Sequence, residues 1–385
     1  MTNTDKAFVR ANLSATDTPA QVFTARTMPA NSQWYGGAYG NGRFVTVPYG
    51  SSGSAYSSNE GASWSTGNLL VSRNWAAVGF GNSTFVAVAN TASVCAISSD
   101  GNTWAQRNLP ASRTWNGVAY GNGTWVAVAS DAAFGAYSTD NGATWTQCVT
   151  PSGLFNVAYG NGIWVAVGPS PGGASSPDGI TWTARTLPTV TSGNWLGVAY
   201  GNGRFVAVCA GSTTITQAAV SYDGINWTQT TIPGNNWTAV TYSSGSLTFM
   251  AVGVFNNYVA TSTDGVTWTS KTVAANNSFS VMASPSTFVV ANSGTVAFTS
   301  PASGPIIYTT TASSIFTDLI VSNPSSAGSI TATVLVDNVP LLYNTPIAAS
   351  SLVQMNLRQV VASGKAITAY ATGSASIAIN GVEIT

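Results

Sequence analysis

The chain contains no histidine and very little charge. There are 12 basic and 12 acidic side chains in 385 residues, 6% of the total, with zero net charge. An average soluble domain is roughly 25% charged. Without histidine, a Ser-His-Asp triad and every histidine-ligated metal site are excluded. Twelve scattered basic residues give no stripe for a phosphate backbone, so no nucleic-acid partner is expected. Cysteine is also scarce. Cys95, Cys148 and Cys209 are an odd number without paired spacing, which argues against a disulfide framework. Each lies in or beside an apolar run and reads as a small buried hydrophobe. No run of about 18 apolar residues occurs, so no membrane insertion is expected. The segment Met1-Thr2-Asn3-Thr4-Asp5-Lys6 has no apolar signal core, so the expectation is no signal peptide and folding in a cytoplasm.

What is abundant is glycine, 39 residues, together with 13 tryptophans and 14 each of tyrosine and phenylalanine. They recur in a pattern: an aromatic, then Val-Ala-Tyr-Gly-Asn-Gly, then an aromatic with Val-Ala-Val. The leading aromatics read as Trp34, Trp75, Trp115, Phe155, Trp195, Trp237 and Phe279, spaced by 41, 40, 40, 40, 42 and 42 residues. Each unit reads as four short strands. In the third, Trp115 to Tyr120 is the first strand and Gly121-Asn122-Gly123 a hairpin turn, because Asn and Gly tolerate positive φ. Thr124 to Ala129 is the second strand, a third runs near Phe134 to Ser138, and the fourth begins at Trp145. No helical periodicity appears. Four short strands every 40 to 42 residues predict the blades of a β-propeller.

The termini set the expected blade count. Six complete units run from Trp34 to about Asn277, and a seventh from Phe279 stops near Ser300 without a fourth strand. Phe23-Thr24-Ala25-Arg26-Thr27-Met28-Pro29 copies Trp182-Thr183-Ala184-Arg185-Thr186-Leu187-Pro188, the fourth strand of the fourth unit. The expectation is a seven-bladed propeller over residues 20–300, its last blade closed by the N-terminal strand. Such closure removes free sheet edges.

A second motif recurs within the units. Ser138-Thr139-Asp140-Asn141-Gly142-Ala143-Thr144-Trp145 has shorter versions around Asp100, Asp178, Asp223 and Asp264. In the first unit Asn59 stands where Asp is expected, with Glu60 beside it. This motif resembles the Asp-box of sialidase-type (BNR) propellers. Its chemistry is local: Asp accepts hydrogen bonds from turn amides, Gly supplies the unusual backbone angle, and Trp packs between strands. Asp100, Asp140, Asp178, Asp223 and Asp264 are therefore read as structural. One carboxylate per turn on separate blades cannot converge on one ion, so no metal and no cofactor are expected.

An enzyme reading fails on the same residues. Glycosidases generally need two carboxyl groups, or a Tyr nucleophile with acidic helpers. Between residues 34 and 300 the acids are Glu60, Asp131 and the five motif aspartates. Asp131 alone makes no acid–base pair. Arg43 and Arg204 share one repeat position, Arg73 and Arg113 another, and Arg107 and Arg185 sit on fourth strands, so no arginine trio is evident. The chain reads as a non-enzyme.

Recognition is expected on the face opposite the regular turns. That face carries the irregular loops 51–55, 90–94, 129–134, 169–174, 210–217 and 254–258, and variable loops on a rigid ring are where binding usually resides. Arg73, Arg113, Phe134, Asn194, Asn236 and Tyr258 are the candidate ligand-binding residues. Polar amides with aromatics suit a saccharide or a protein surface. The tryptophans that open the units read as core wedges.

Composition shifts after Ser300: tryptophan vanishes and aliphatic residues rise. Pro301-Ala302-Ser303-Gly304-Pro305 reads as a linker. Strands are expected at 305–311, 314–322, 330–336, 349–356, 366–371 and 375–384, with turns at Asn323-Pro324, Asp337-Asn338, Ser363-Gly364 and Asn380-Gly381. Residues 301–385 should form a small β-sandwich for oligomerisation or docking. Residues 1–19 remain as an N-terminal arm. The run from Leu319-Ile320-Val321-Ser322-Asn323 through Val353-Gln354-Met355-Asn356-Leu357 to Asn380-Gly381-Val382-Glu383-Ile384 resembles C-terminal β modules of tailed-bacteriophage structural proteins. That resemblance implies a virion location, a homo-oligomer with a trimer favoured, and as partners other virion proteins or a host-surface glycan. A lectin-like or assembly-scaffold propeller outside a virus is the alternative, and a sialidase-like hydrolase ranks last.

Overall fold

The computed structural model describes residues 6–13 and 23–383, apart from short segments at 212–215, 235, 255–257, 274–277, 302–305, 310–313, 323–329, 337–338, 362–365 and 372–374. The described residues are all strand, turn and irregular backbone. Two compact units emerge: Phe23–Ser300, and Met1–Val22 together with Pro301–Thr385.

The third repeat shows how the first unit is built. Strands Trp115–Gly121, Thr124–Ala129, Gly135–Ser138 and Thr146–Cys148 pair antiparallel in chain order. Gly121 pairs with Thr124, leaving Asn122 and Gly123 as a two-residue turn with φ of 47° and 78°. Two positive angles in succession match the right-handed twist of the flanking strands, which is why Asn-Gly recurs here. The second strand is buried from Trp125 to Ala129, although its side chains alternate between two faces. Trp125, Ala127 and Ala129 share a core with Val86 and Val88 of the preceding repeat. Val126 and Val128 share one with Leu154, Val157 and Trp164 of the following repeat. Both faces of each sheet are thus covered by its neighbours, and the uninterrupted apolar run Trp-Val-Ala-Val-Ala is the consequence.

The same stacking recurs through the unit. Val45 and Val47 pack with Trp75, Val165 and Val167 with Trp195, and Val206 and Val208 with Trp237. Five of the repeats' first strands end in glycine, at Gly40, Gly81, Gly121, Gly160 and Gly201, and each lies against an aromatic ring of the next repeat. A Cβ added at Gly160 would lie 2.0 Å from Tyr200, the aromatic of the next repeat. The chain ends of the unit meet in one sheet: Thr24–Thr27 pair with Thr299–Val296, and Met28, Trp34 and Phe44 share a core with Met282, Val289 and Ala297. Thr24–Gly40 is one continuous strand that pairs with the last repeat through Thr24–Thr27 and with Arg43–Ser51 through Gln33–Gly40.

Register corrects the sequence reading at two units. Val118 pairs with Ala127 and Val157 with Ala166, so Leu154, not Phe155, occupies the place of Trp115. Likewise Val281 pairs with Val290, which puts Ser278, not Phe279, in that place. Trp34, Trp75, Trp115, Trp195 and Trp237 are fully buried as expected, whereas Phe155 and Phe279 are only half-buried.

The second unit contains two four-stranded antiparallel sheets. One holds Lys6–Leu13, Ala375–Glu383, Ser314–Ser322 and Leu352–Val361; the other holds Ile306–Thr309, Ala366–Ala371, Ile330–Val336 and Val339–Ile347. Leu319 and Val321 of the first sheet and Ala332, Val334 and Ile347 of the second are buried. Residues 6–13 form an edge strand paired along Ala375–Gly381, so this part of the expected arm belongs to the second unit. Val339–Ile347 is a strand the alternation did not reveal, because Pro340 and Pro346 interrupt it. Asn380-Gly381 does not turn the chain. It lies inside a strand, opposite register shifts at Ala7/Val9 and Phe316/Asp318 of the two partner strands. The expected turns at 323–324, 337–338 and 363–364, and residues 1–5 and 14–19, lie outside the described residues.

Candidate functional site

The Ser-x-Asp turns form a self-contained hydrogen-bond net. In the third repeat Asp140 Oδ1 accepts from the Ser138 hydroxyl at 2.8 Å and from the Thr144 amide at 2.9 Å, and Oδ2 accepts from the Thr144 hydroxyl at 2.6 Å. Gly142 donates to Ser138 Oγ, and Trp145 Nε1 donates back to the Gly142 carbonyl. Asp100, Asp178, Asp223 and Asp264 repeat this scheme with their own serines and amides. The hydrogen bonds from the Thr144 hydroxyl and amide hold the Asp140 carboxyl down to about 2. Burial raises the other four, but amide and hydroxyl donors outweigh it, and all four stay below the ordinary carboxylate value. Asn59 performs the same task without charge: its Oδ1 accepts from the Ser57 hydroxyl and the Ser63 amide. Each carboxylate is thus consumed by its own turn.

The turns also tie adjacent repeats together. Arg43 and Arg204, on the Gly-Asn-Gly hairpins, donate to the carbonyls of Asp100 and Asp264 at 2.9 and 2.7 Å. Asn41 Nδ2 reaches the Ser99 carbonyl. Hairpins and Asp turns therefore share one face, as the alternation of connections requires. Asn141 Nδ2 reaches back to Thr84 Oγ1, and Glu60 holds the corresponding place by accepting from the Ser284 and Ser286 hydroxyls. Glu60 thereby links the first repeat to the last.

On the other face the six candidate residues behave differently. Arg113 lies over the Phe134 ring, 4.7 Å from its centroid, and Phe134 packs edge-on against Trp115. Phe134 is buried, so this group is a brace rather than a platform. Asn236 is also buried. Its Oδ1 accepts from the Gly211 amide and its carbonyl from the Val254 amide, which commits it to holding two loops. Arg73 and Asn194 are exposed at strand starts, and Tyr258 is exposed at the start of Tyr258–Ser262. Arg113 and Phe134 are the pair brought into contact.

The residues that do converge are those one place after the repeat-opening position. Tyr35, Ala76, Asn116, Phe155, Leu196, Thr238 and Phe279 line one cavity of about 620 Å³, together with Gln33, Asn90 and Asn156. Tyr35 and Phe279 stack at 4.4 Å and 13°, and Tyr49 lies 5.0 Å from Tyr35. Burial, then the neighbouring Tyr49, pushes the Tyr35 phenol above its ordinary value. Asn116 Nδ2 donates to Ser130 Oγ at 2.6 Å, while Asn90 Oδ1 is buried and accepts no hydrogen bond from the protein. No Asp, Glu, Lys or Arg lines the cavity. Sequence reasoning missed these residues by taking Phe155 and Phe279 as repeat-opening aromatics. The signal was present: Trp115 stands six residues before the hairpin glycine Gly121, Phe155 only five before Gly160.

Other reactive groups are silent. Cys95, Cys148 and Cys209 are buried free thiols, as expected. Burial pushes Cys95 and Cys209 up to about 12 and Cys148 up to about 11, which keeps them protonated. Among the described residues no cluster of three or more Cys, Asp or Glu side chains could hold a metal ion.

No known family model matches the chain, and no curated protein matches its sequence. Solved structures do match. A streptogramin B lyase superposes with a TM-score of 0.64 at 12% identity, over 73% of this chain and 97% of that one. YCF48 bound to D1 peptide gives 0.57 at 15% identity, over 72% and 96%. The Pan2 WD40 domain of Neurospora crassa gives 0.56 at 6% identity, over 74% and 97%. At such identities the likeness is one of fold. The chain contains a multi-blade β-propeller.

Proposed function

We propose that the chain is a non-enzymatic structural protein of a bacteriophage virion, a tail, fibre or capsid-decorating component. In this reading residues 23–300 form seven blades, closed by the N-terminal strand and braced by Asp-box turns. The propeller recognises a host-surface glycan or a neighbouring virion protein. The second unit is a β-sandwich that docks or trimerises the chain, as the resemblance to phage C-terminal modules implies.

The observation that carries the non-catalytic half is the fate of the carboxylates. Five are held by turn amides, Glu60 is held by two serine hydroxyls, and Asp131 stands exposed and alone. Within residues 34–300 no two are left to share acid and base work. Lyase chemistry is not carried over from the structural neighbours. The virginiamycin B lyase structures include a catalytically inactive histidine-to-alanine variant, and this chain has no histidine at all. A shared fold does not transfer a site. Two antiparallel four-stranded sheets with buried Leu319, Val321, Ala332 and Val334 support the sandwich reading.

The test is protein content. Mass spectrometry of gradient-purified particles from the source culture should find the chain at a fixed stoichiometry to the major capsid protein. Its absence from intact particles contradicts the virion assignment and leaves a lectin-like or scaffold propeller.

A further inference from the structure

Resting on the reading of the propeller as a recognition element, we propose that the cavity mouth lined by Tyr35, Phe279, Gln33, Asn90 and Asn116 binds an uncharged saccharide.

Three independent observations lead there. The first is internal variation. Tryptophan holds five of the seven repeat-opening places and valine six of the seven places three residues on, yet the cavity position reads Tyr35, Ala76, Asn116, Phe155, Leu196, Thr238 and Phe279. This position is released from the packing that fixes its neighbours, and its seven side chains give the ring an aromatic wall and a polar wall. The second is charge. A ligand carboxylate or phosphate would lose its hydration against a lining without a single basic side chain, a cost no partner offsets. Neutral ligands lose little. The third is the chemistry of the walls. Phe279 and Tyr35 present a stacked pair of rings with the exposed Tyr49 tilted beside Tyr35, and Gln33, Asn90 and Asn116 present amides. A pyranose has the complementary pair of surfaces, an apolar face of C–H groups and a rim of hydroxyls that donate and accept. Asn90 Oδ1, buried without a donor, has capacity for one of them. The cavity of about 620 Å³ lies within the range of sites for small ligands.

The test uses the full chain and titration calorimetry with maltohexaose, cellohexaose and mannohexaose as neutral probes and 3′-sialyllactose as the charged one. At least one neutral oligosaccharide should bind, with an affinity that does not fall when salt is raised. Tyr35→Leu should weaken that binding about tenfold or more through loss of the ring face, and Tyr35→Phe should retain it. Asn116→Ala gives a second variant that leaves the Tyr35–Phe279 stack in place, and it should also weaken binding. Circular dichroism establishes that each variant is folded. The proposal is overturned if no neutral oligosaccharide binds, if sialyllactose is preferred, or if Tyr35→Leu and Asn116→Ala both bind as the parent does. Failure here is separable from failure of the virion reading. A virion-borne chain that ignores all three neutral probes loses only the saccharide site. A saccharide-binding chain absent from particles loses only the virion.

Discussion

The Asp-containing turns and the cavity mouth arise from the same forty-residue repeat, yet one is almost invariant and the other shows six different residues in seven copies. The turn is fixed because each of its members completes a local net. Ser138, Asp140, Gly142, Thr144 and Trp145 satisfy one another, and the neighbouring hairpin leans on the result. Truncating the serine, the aspartate or the tryptophan leaves a polar group of the turn without its partner. The cavity position has no such duty. Ala76 and Phe155 differ greatly in size, but each faces an open space where neither leaves a void in a core. Within a repeat protein, uniformity marks what folding demands and variation marks where function is free to act.

Substitutions can break this comparison, and the largest effect belongs to the uniform set. Trp115→Ala removes a fully buried indole whose Nε1 donates to the Ala92 carbonyl. It should cost about 3–5 kcal/mol in denaturant unfolding. A cost below that of an ordinary surface substitution would contradict its role as a wedge between sheets. Gly160→Ala comes next, because the added methyl would meet the Tyr200 ring at 2.0 Å. Overpacking there should cost about 1–3 kcal/mol. Gly162→Ala is the control: its Cβ meets nothing within 4 Å, and only the backbone at φ +77° resists it, at about 1 kcal/mol. If the two glycines prove equal, close approach between repeats is not what selects Gly160.

Smaller effects sharpen the comparison within the turn itself. Asp140→Ala should cost about 1–2 kcal/mol by orphaning the Thr144 amide. Asp140→Asn should cost less than half of that, because Asn59 already fills this place in the first repeat. The turns should also show in acid. The folded Asp140 carboxyl sits at about 2, below its ordinary 3.8, so its stabilising effect is whole above the ordinary value and is lost as pH falls from about 4 toward 2. Thermal melts across that interval should decline more steeply for the parent than for Asp140→Asn, which has no proton to gain. Parallel declines would show that the turn carboxylate is not the titrating group.

Much of the fold could be read from the residues, because its causes are local and repeated. Asn122-Gly123 announces a two-residue hairpin by backbone angles alone, and Trp125-Val126-Ala127-Val128-Ala129 announces a strand covered on both faces. The copy of Trp182–Pro188 at Phe23–Pro29 foretold the pairing of Thr24–Thr27 with the last repeat. The site was less legible, and for a physical reason. Cavity-lining residues are defined by register, and a one-residue slip turns a side chain from the core to the cavity. Phe155 and Phe279 looked like the repeat-opening tryptophans because all are aromatic. Strand pairing moved each by one place and put Leu154 and Ser278 in the core. Asn236 and Phe134 were legible as loop residues, but that the loops use them for their own bracing depends on contacts distant in sequence. Strand Lys6–Leu13 escaped for the same reason, since its partner lies at the other end of the chain.

The division of labour between turn and cavity is tested most directly by two variants measured side by side, Asp140→Ala and Tyr35→Leu, each scored for melting temperature and for oligosaccharide affinity. The account predicts a crossed result: Asp140→Ala melts earlier and binds as the parent does, while Tyr35→Leu melts with the parent and binds about tenfold or more weakly. If the two properties fall together in both variants, folding and recognition are not carried by separate positions of the repeat, and the account is wrong.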